Sequence, residues 1–259
     1  MRLLERLVAT ALWLVLFLSC AGIVQAQGTL TVSPAVLELR GTVGQSTTQP
    51  LTMSNATDRA MTFEMKAKDL IVRNGHRVTV DAGEMPGSIA ATAVFSRKLV
   101  TVPPGQTARV DVTLTIPPKP SSRAVVILFQ GMTKVPSGAM AATVSLGIVL
   151  TFTLSQNVAL NPSTLTVNPP TKSSNLTVSQ RCTNTGSEPI ATKAILAIIN
   201  RSGRLVGKSA VPERRLLPGE TAEVRTEYAG DLAPGQYRAL MTYDLGGKTV
   251  TSTADFSVR

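Results

Sequence analysis

The sequence is poor in the side chains that build metal sites, catalytic sites and nucleic-acid surfaces. Its 259 residues include one histidine, two cysteines and 4% aromatic residues. A metal site needs several His, Cys or carboxylate ligands together, so we expect neither a metal nor a cofactor. Nucleic acids are often held on aromatic stacking platforms, and the few aromatics here do not interleave with the cations. We therefore expect no nucleic-acid partner.

Catalytic motifs are also lacking. Acidic residues are few and dispersed, so no carboxylate pair is predicted for general acid–base work. No serine stands in a G-x-S-x-G turn, and there is no glycine-rich phosphate loop. His76 follows Asn74-Gly75, a hairpin-turn signal, and is expected beside an exposed turn. The sequence predicts a protein that is not an enzyme and takes no small-molecule substrate.

The one long apolar run lies at the N-terminus. Arg2 and Arg6 precede an apolar stretch that begins at Leu7, and the small-residue signal Val24-Gln25-Ala26 follows it. This pattern predicts a secretory signal peptide over residues 1–26, with cleavage after Ala26. An uncleaved membrane anchor and a lipoprotein signal at Cys20 are the alternatives. Either way, the periplasm or the cell surface is the expected location.

Cleavage would leave Cys182 as the only cysteine and so no internal disulfide. The domains must then be held by packed cores. Cys182 alternates with Leu176 and Val178 on one strand face, which favours a buried thiol over a reactive one. The net charge is +10, and the basic residues are scattered, which is typical of a solvated surface.

The rest of the chain predicts an all-β protein. It is rich in Thr and Val, is cut by Pro and Gly at short intervals, and shows no convincing helical pattern. Strands are predicted in two groups: 30–39, 48–55, 61–72, 76–81, 93–100, 107–116, 123–131 and 142–154, then 163–168, 175–184, 190–200, 204–210, 220–228, 236–244 and 249–258. This spacing predicts two tandem immunoglobulin-like β-sandwich domains after the signal peptide, over residues 27–158 and 159–259.

Two segments repeat the same pattern of a Pro-Gly pair followed by an alternating segment. "VPPGQTARVDVTLTIP" and "LLPGETAEVRTEYAG" each place Pro-Gly before a segment with alternating side chains. Each predicts a tight turn that leads into a strand. The repeat either marks corresponding turns in two related domains or is a chance recurrence of a common turn. Tyr237 follows a third Pro-Gly pair. It is either a tyrosine corner of an immunoglobulin-like fold or an ordinary strand residue.

The segment "ATVSLGIVLTFTL", residues 142–154, is the candidate binding strand. Its apolar row comprises Val144, Leu146, Ile148, Leu150, Phe152 and Leu154. Such a row could fill the core of its own domain, since every sandwich strand needs one apolar face. It could instead be lent to a partner by β-strand addition, with Val144, Leu146, Ile148 and Leu150 as the partner-binding residues.

The first domain resembles the PapD-like periplasmic pilus chaperones. "LTVSPAVLELRGTVGQSTTQPLTMSNATDRAMTFEM" is similar to their opening strand pair. "LVTVPPGQTARVDVTL" resembles their segment around a Pro-Gly turn, and "SSRAVVILF" their penultimate strand. The resemblance implies a chaperone that lends the last strand of its first domain to an incomplete fibre subunit, with an outer-membrane usher as a further possible partner.

Anchoring residues of that family differ here. The family holds the subunit's C-terminal carboxylate with an Arg in the first strand and a Lys in the last strand of the first domain. This chain has Ser33-Pro34-Ala35 near the first position, no Lys or Arg in 142–154, and Arg40 later in the first strand. A structural or adhesive cell-envelope protein built of immunoglobulin-like domains is the alternative function.

Overall fold

The structure, a computed structural model, describes residues 28–132 and 144–259. The predicted signal peptide and the first two residues of the predicted 142–154 strand lie outside the described residues. No helix in the described ranges is long and apolar enough to cross a membrane.

Within the described residues, twenty strands form the two sandwiches. Those of the first are β1 (Leu30–Ser33), β2 (Val36–Arg40), β3 (Ser46–Asn55), β4 (Met61–Arg73), β5 (His76–Asp81), β6 (Val94–Phe95), β7 (Leu99–Val102), β8 (Thr107–Thr115), β9 (Ala124–Gly131) and β10 (Ser145–Thr153). Those of the second are β11 (Leu160–Pro162), β12 (Thr166–Asn168), β13 (Leu176–Asn184), β14 (Ile190–Ala191), β15 (Lys193–Asn200), β16 (Leu205–Val211), β17 (Arg215–Leu216), β18 (Thr221–Tyr228), β19 (Gly235–Asp244) and β20 (Thr249–Val258).

Each sandwich packs two sheets over one core. In the first, a sheet in the order β1-β3-β8-β6 faces a sheet in the order β2-β10-β9-β4-β5, with β7 also paired to β4. In the second, β13 pairs with β11, β12 and β18, and faces a sheet in the order β16-β15-β19-β20. The two cores are separate clusters of fully buried apolar residues. The predicted fold class, two tandem immunoglobulin-like sandwiches, is confirmed. The division at residue 158 stays a prediction.

Some predicted strands are interrupted. The 30–39 segment breaks at Ser33-Pro34, a cis peptide bond, where the chain passes from one sheet to the facing sheet. The 93–100 segment is split between β6 and β7, and 190–200 between β14 and β15. A single 3-10 turn at Ala90–Thr92, which the sequence did not predict, is capped by the buried Asp69 carboxylate. Propensity cannot locate these breaks because tertiary pairing decides them.

A buried asparagine side chain organises the end of β3. The Asn55 Nδ2 donates to the carbonyls of Arg59 (2.8 Å) and Val102 (2.9 Å), and its Oδ1 accepts from the Thr57 amide (2.9 Å). The Gly105 amide donates to the Asn55 carbonyl at 2.7 Å. Gly105 has a φ of 68°, as the predicted turn requires. One amide group thus ties the strand end to the Pro-Gly turn.

The second domain repeats this arrangement. The Asn184 Nδ2 donates to the carbonyls of Glu188 (2.8 Å) and Leu216 (3.0 Å), and its Oδ1 accepts from the Gly186 amide (3.0 Å). The Gly219 amide, with φ 78°, donates to the Asn184 carbonyl at 2.8 Å. The repeated Pro-Gly punctuation therefore marks corresponding turns, each fastened to a buried asparagine, and the prediction from the repeat is confirmed.

In the second domain the structure decides between the two alternatives for Tyr237 and confirms the prediction for Cys182. The Tyr237 hydroxyl donates to the Ala233 carbonyl, four residues upstream, at 2.6 Å, which is the contact of a tyrosine corner. Cys182 is fully buried, and burial raises the pKa of its thiol. The cysteine is a core residue that touches the Tyr243 hydroxyl at 3.3 Å.

The two domains meet through a buried glutamate. Glu188, which is 1% exposed, accepts hydrogen bonds from the Leu154 amide (2.9 Å) and the Ser155 hydroxyl (2.8 Å) just beyond β10. Its Oε2 also lies 3.4 Å from the Arg123 Nε of the first domain. Leu217 of the second domain packs beside Leu70 and Val126 of the first. These contacts fix the linker that follows β10.

We expect Glu188→Ala to lower the free energy of unfolding by about 2–4 kcal/mol. The substitution leaves the half-buried Arg123 without its carboxylate, and leaves the Leu154 amide and the Ser155 hydroxyl without their part-buried acceptor. Urea denaturation checks this value. Asp58→Ala, which removes a fully solvated ion pair with Arg59, is the control and should change nothing measurable. Equal stability of both variants would contradict a structural role for Glu188.

Candidate binding strand

The candidate strand β10 is paired with β9 over seven of its nine residues on one edge, and over its C-terminal part only on the other. β9 pairs antiparallel with it from Ser145 to Thr151. β2 pairs parallel with it only from Val149 to Thr153. Within the described ranges, no strand pairs with residues 145–148 on that second edge.

The β2 pairing stops because of the sequence that precedes β2. The Val149 amide donates to the Ala35 carbonyl at 3.1 Å, which is the last bond of this ladder. Pro34, the residue before, has no amide hydrogen, and Ser33 already belongs to the facing sheet. The N-terminal half of β10 therefore keeps a free edge.

Two residues present their backbone groups to this free edge. The Gly131 amide donates to the Val144 carbonyl at 2.8 Å on the β9 side, and hydrogen-bonded pairs alternate along an antiparallel ladder. The amides and carbonyls of Ser145 and Gly147 consequently point away from β9. A side chain at Gly147 would crowd Val126, whose Cγ1 would lie 3.2 Å from the added Cβ. The strand edge here is bare backbone.

The predicted binding residues differ in exposure. Ile148 and Leu150 are fully buried in the core of the first domain, and Leu146 is half-buried against the same core. Val144 is 41% exposed. Leu146, Ile148 and Leu150 lie on the core face of β10, as the alternation indicates, and Val144 directly precedes the strand; of the four, Val144 and Leu146 are accessible. Binding by these residues stays a prediction.

Beside the paired half of β10 lies a cleft of about 470 Å³ between the two domains. Val149, Thr151 and Thr153 of β10 form part of its wall. Its polar residues include the cations Arg40, Arg77, Lys193 and Arg215.

Two of these cations already form ion pairs within the protein. The Arg77 guanidinium pairs with Glu220 at 2.9 Å, and Arg215 pairs with Glu38. Arg40 and Lys193 have no ion-pair partner among the described residues. The structure thus places Arg40, noted in the sequence, in the same cleft as Lys193, which sequence reasoning missed because it belongs to the other domain; Glu38 and Asp244 line this cleft as well.

The described residues contain no cluster of three or more His, Cys, Asp or Glu that could hold a metal ion. His76 is exposed next to the Asn74-Gly75 turn, where both residues have positive φ.

Comparison with known proteins gives a likeness of fold. Residues 37–135 match the Fn3-like domain family. No curated protein matches the sequence. Solved structures similar to the chain include the class 5 fimbriae chaperone CfaA, at 15% identity and TM-score 0.47 over 89% of this chain and 99% of that one.

Two further structures show the same likeness. The E. coli chaperone DraB is 17% identical at TM-score 0.42, over 89% of this chain and 98% of its own. The Salmonella enterica SafA pilin in complex with the SafB chaperone gives 10% identity and TM-score 0.41, over 88% and 96%. The resemblance to pilus chaperones noted in the sequence is found again in these structures. The likeness is one of fold.

The apolar row is buried at Ile148 and exposed at Val144. We therefore expect substitutions at these two residues to lower the free energy of unfolding by different amounts. Ile148→Ala should cost about 2–4 kcal/mol of unfolding free energy, because it leaves a cavity in a closed core. Val144→Ala should cost less than about 0.5 kcal/mol, because its side chain is largely solvated. Chemical denaturation of both variants measures this difference. Equal losses would show that the row is not divided at Leu146.

Proposed function

We propose that this protein is an exported, chaperone-like binding protein that holds fibre subunits, or other secreted subunits that lack a strand, by β-strand addition along β10. The observation that carries the proposal is the free edge at residues 145–148. An extended partner segment placed there would continue the sheet beyond β10 and would take up the backbone groups of Ser145 and Gly147.

Side chains at the free end would supply the apolar part of the contact. Leu146 lies on the face of β10 that packs inward, Val144 directly precedes the strand, and both retain exposed surface. A subunit with a missing strand has an open core, and these two side chains are placed to cover one end of it. Ile148 and Leu150 continue the row but serve the chaperone's own core.

The cleft would hold the end of the partner. Arg40 and Lys193 together present two positive charges in a concave site next to β10. A C-terminal carboxylate is the protein group that best matches such a pair, because charge-assisted hydrogen bonds are the strong ones. These two residues would then do the work of the Arg and Lys that the resembling family carries elsewhere.

Export is part of the same proposal. The first 26 residues carry the pattern of a secretory signal, so the complex would form in the periplasm or at the cell surface. In a fimbrial system the partners would be a fibre subunit and an outer-membrane usher.

Recovery of partners from the cell envelope tests the β10 edge. Tagged protein purified from its own envelope should bring down a β-rich subunit in stoichiometric amount. Leu146→Lys should abolish recovery by placing a charge in the apolar contact, and Ser145→Pro should abolish it by removing an amide that faces the free edge. Val94→Lys, at a residue 66% exposed elsewhere on this domain, is the matched control and should leave recovery intact.

Loss of the subunit in all three variants would indicate misfolding, which circular dichroism and urea denaturation would detect. Full recovery with both β10 variants would overturn strand addition. Co-purification of bulk envelope polymer alone would favour the structural or adhesive function.

The cleft has a test of its own on the recovered complex. Arg40→Gln combined with Lys193→Gln should weaken subunit binding at least about tenfold, because two charge-assisted bonds are lost. A subunit that lacks its last residues should bind the unsubstituted protein with a similarly reduced affinity. The double variant should bind this truncated subunit about as well as it binds the intact one. Affinity measured by titration checks both statements, and additive losses would contradict carboxylate binding in the cleft.

A further inference from the structure

The second domain presents a long free strand edge of its own. β20 stands at the end of the sheet β16-β15-β19-β20, and all ten of its residues pair with β19 without a register shift. It is the longest edge strand of the described sheets. A regular edge of this kind is a template for another strand.

Other edges in the described chain carry features that oppose further pairing. β1 has four residues and is followed by Pro34, and β6 has two residues. β5 carries the polar or charged residues His76, Arg77 and Asp81. β16 carries Lys208, and its pairing with β15 is interrupted by a register shift at Ile198 and Ile199 of β15. Lysine, proline and bulges, which natural proteins use to protect an edge, are missing from β20, and its one charged residue is Asp255.

Its outward backbone groups can be assigned. The Leu245 amide donates to the Lys248 carbonyl at 2.8 Å and closes the hairpin between β19 and β20. Hydrogen-bonded pairs alternate from there, so the even-numbered residues of β20 bond to β19. The odd-numbered ones direct their amides and carbonyls outward: Thr249, Thr251, Thr253, Asp255 and Ser257. Their side chains are exposed as well.

The chemistry of this edge matches the chain's own strand pairs. In the described ranges, six cross-strand hydroxyl pairs lie 2.7–3.0 Å apart: Ser46–Thr115, Thr48–Thr113, Ser54–Thr107, Thr62–Thr101, Thr183–Thr221 and Thr242–Thr251. β20 offers the same kind of side chain on its exposed face. A strand rich in hydroxyls is therefore the partner that it fits.

We propose that β20 pairs antiparallel with β20 of a second copy of this chain, which joins two four-stranded sheets into one. A two-fold axis at Thr253 brings outward-pointing residues opposite one another. Thr253 then faces the partner's Thr253, Thr251 faces the partner's Asp255, and Thr249 faces the partner's Ser257. This register makes about ten backbone hydrogen bonds.

The charges near β20 leave the strand itself neutral but repel the second copy at the two ends of the strand. Both oxygens of Asp255 are held by Arg238, at 2.6 and 3.0 Å, so the middle of the edge is neutral. Lys248 and Arg259 flank the strand, and each chain carries a net +10. Added salt should therefore strengthen the dimer, because it screens repulsion between like charges.

Sedimentation velocity over a concentration series tests the dimer. Purified protein from about 1 to about 500 µM should shift from monomer towards dimer, and the shift should occur at lower concentration in high salt. Amide exchange followed by NMR should slow at Thr251, Thr253 and Asp255 as the concentration rises. Exchange at Ser252 and Ala254, which already bond to β19, should stay constant.

Variants at the axis give the decisive comparison. Thr253→Lys should weaken dimerisation at least about tenfold, because two ammonium groups would meet on the axis, whereas Thr253→Val should preserve it. Thr79→Lys, which adds the same charge to the edge strand β5, and Leu146→Lys on β10 should both remain dimeric. A monomer at every concentration, or a dimer lost through Leu146→Lys but not through Thr253→Lys, would overturn the proposal. A monomer at every concentration would leave subunit binding by β10 untouched, whereas loss of the dimer through Leu146→Lys would place the self-association on the β10 edge.

Discussion

A buried asparagine amide, used once in each domain, is the interaction on which the architecture rests. Asn55 and Asn184 each stand at the end of a long strand with almost no exposed surface. Each donates both amide hydrogens to carbonyls and accepts with its oxygen, so the cost of burying a polar group is offset by full hydrogen bonding. Because each is also bonded through its backbone to a Pro-Gly turn, each sets where the next strand of its sheet begins.

The Asn184 amide of the second domain is connected to the candidate binding strand through Glu188. Asn184 donates to the carbonyl of Glu188, and the Glu188 carboxylate holds the amide of Leu154 directly after β10. The C-terminal end of β10 is thus fixed by the second domain and by β2. Its N-terminal end is left with an open edge because the chain leaves this sheet at Pro34. The candidate site is a consequence of where one strand changes sheets.

Much of the fold could be predicted from the sequence, because strand alternation and turn residues are local signals. The positions of nearly all long strands, the paired turns, the Tyr237 corner and the buried Cys182 belong to this class. Strand pairing is not local. Nothing in residues 142–154 indicates that β2 covers only half of β10, since that follows from the path of residues 33–36 in space.

The candidate site could be predicted only in part for the same reason. The apolar row of β10 is visible in the sequence, but the division between buried Ile148 and accessible Val144 depends on packing. Lys193 and Arg40 are separated by a whole domain and meet only in the folded chain. Sequence reasoning places Asn55 at the end of a strand but does not reveal the buried side-chain role of either Asn55 or Asn184, because "SNAT" and "TNTG" look like ordinary polar turns.

The cross-strand hydroxyl pairs have a consequence for the conditions under which the sheets hold together. Six rungs on the described sheets consist of Ser and Thr, which neither gain nor lose a proton in water at any ordinary acidity. Ion pairs in the same places would weaken when a carboxylate is protonated. These six hydroxyl rungs are therefore indifferent to the acidity of the medium, unlike the Arg238–Asp255 ion pair that joins β19 and β20.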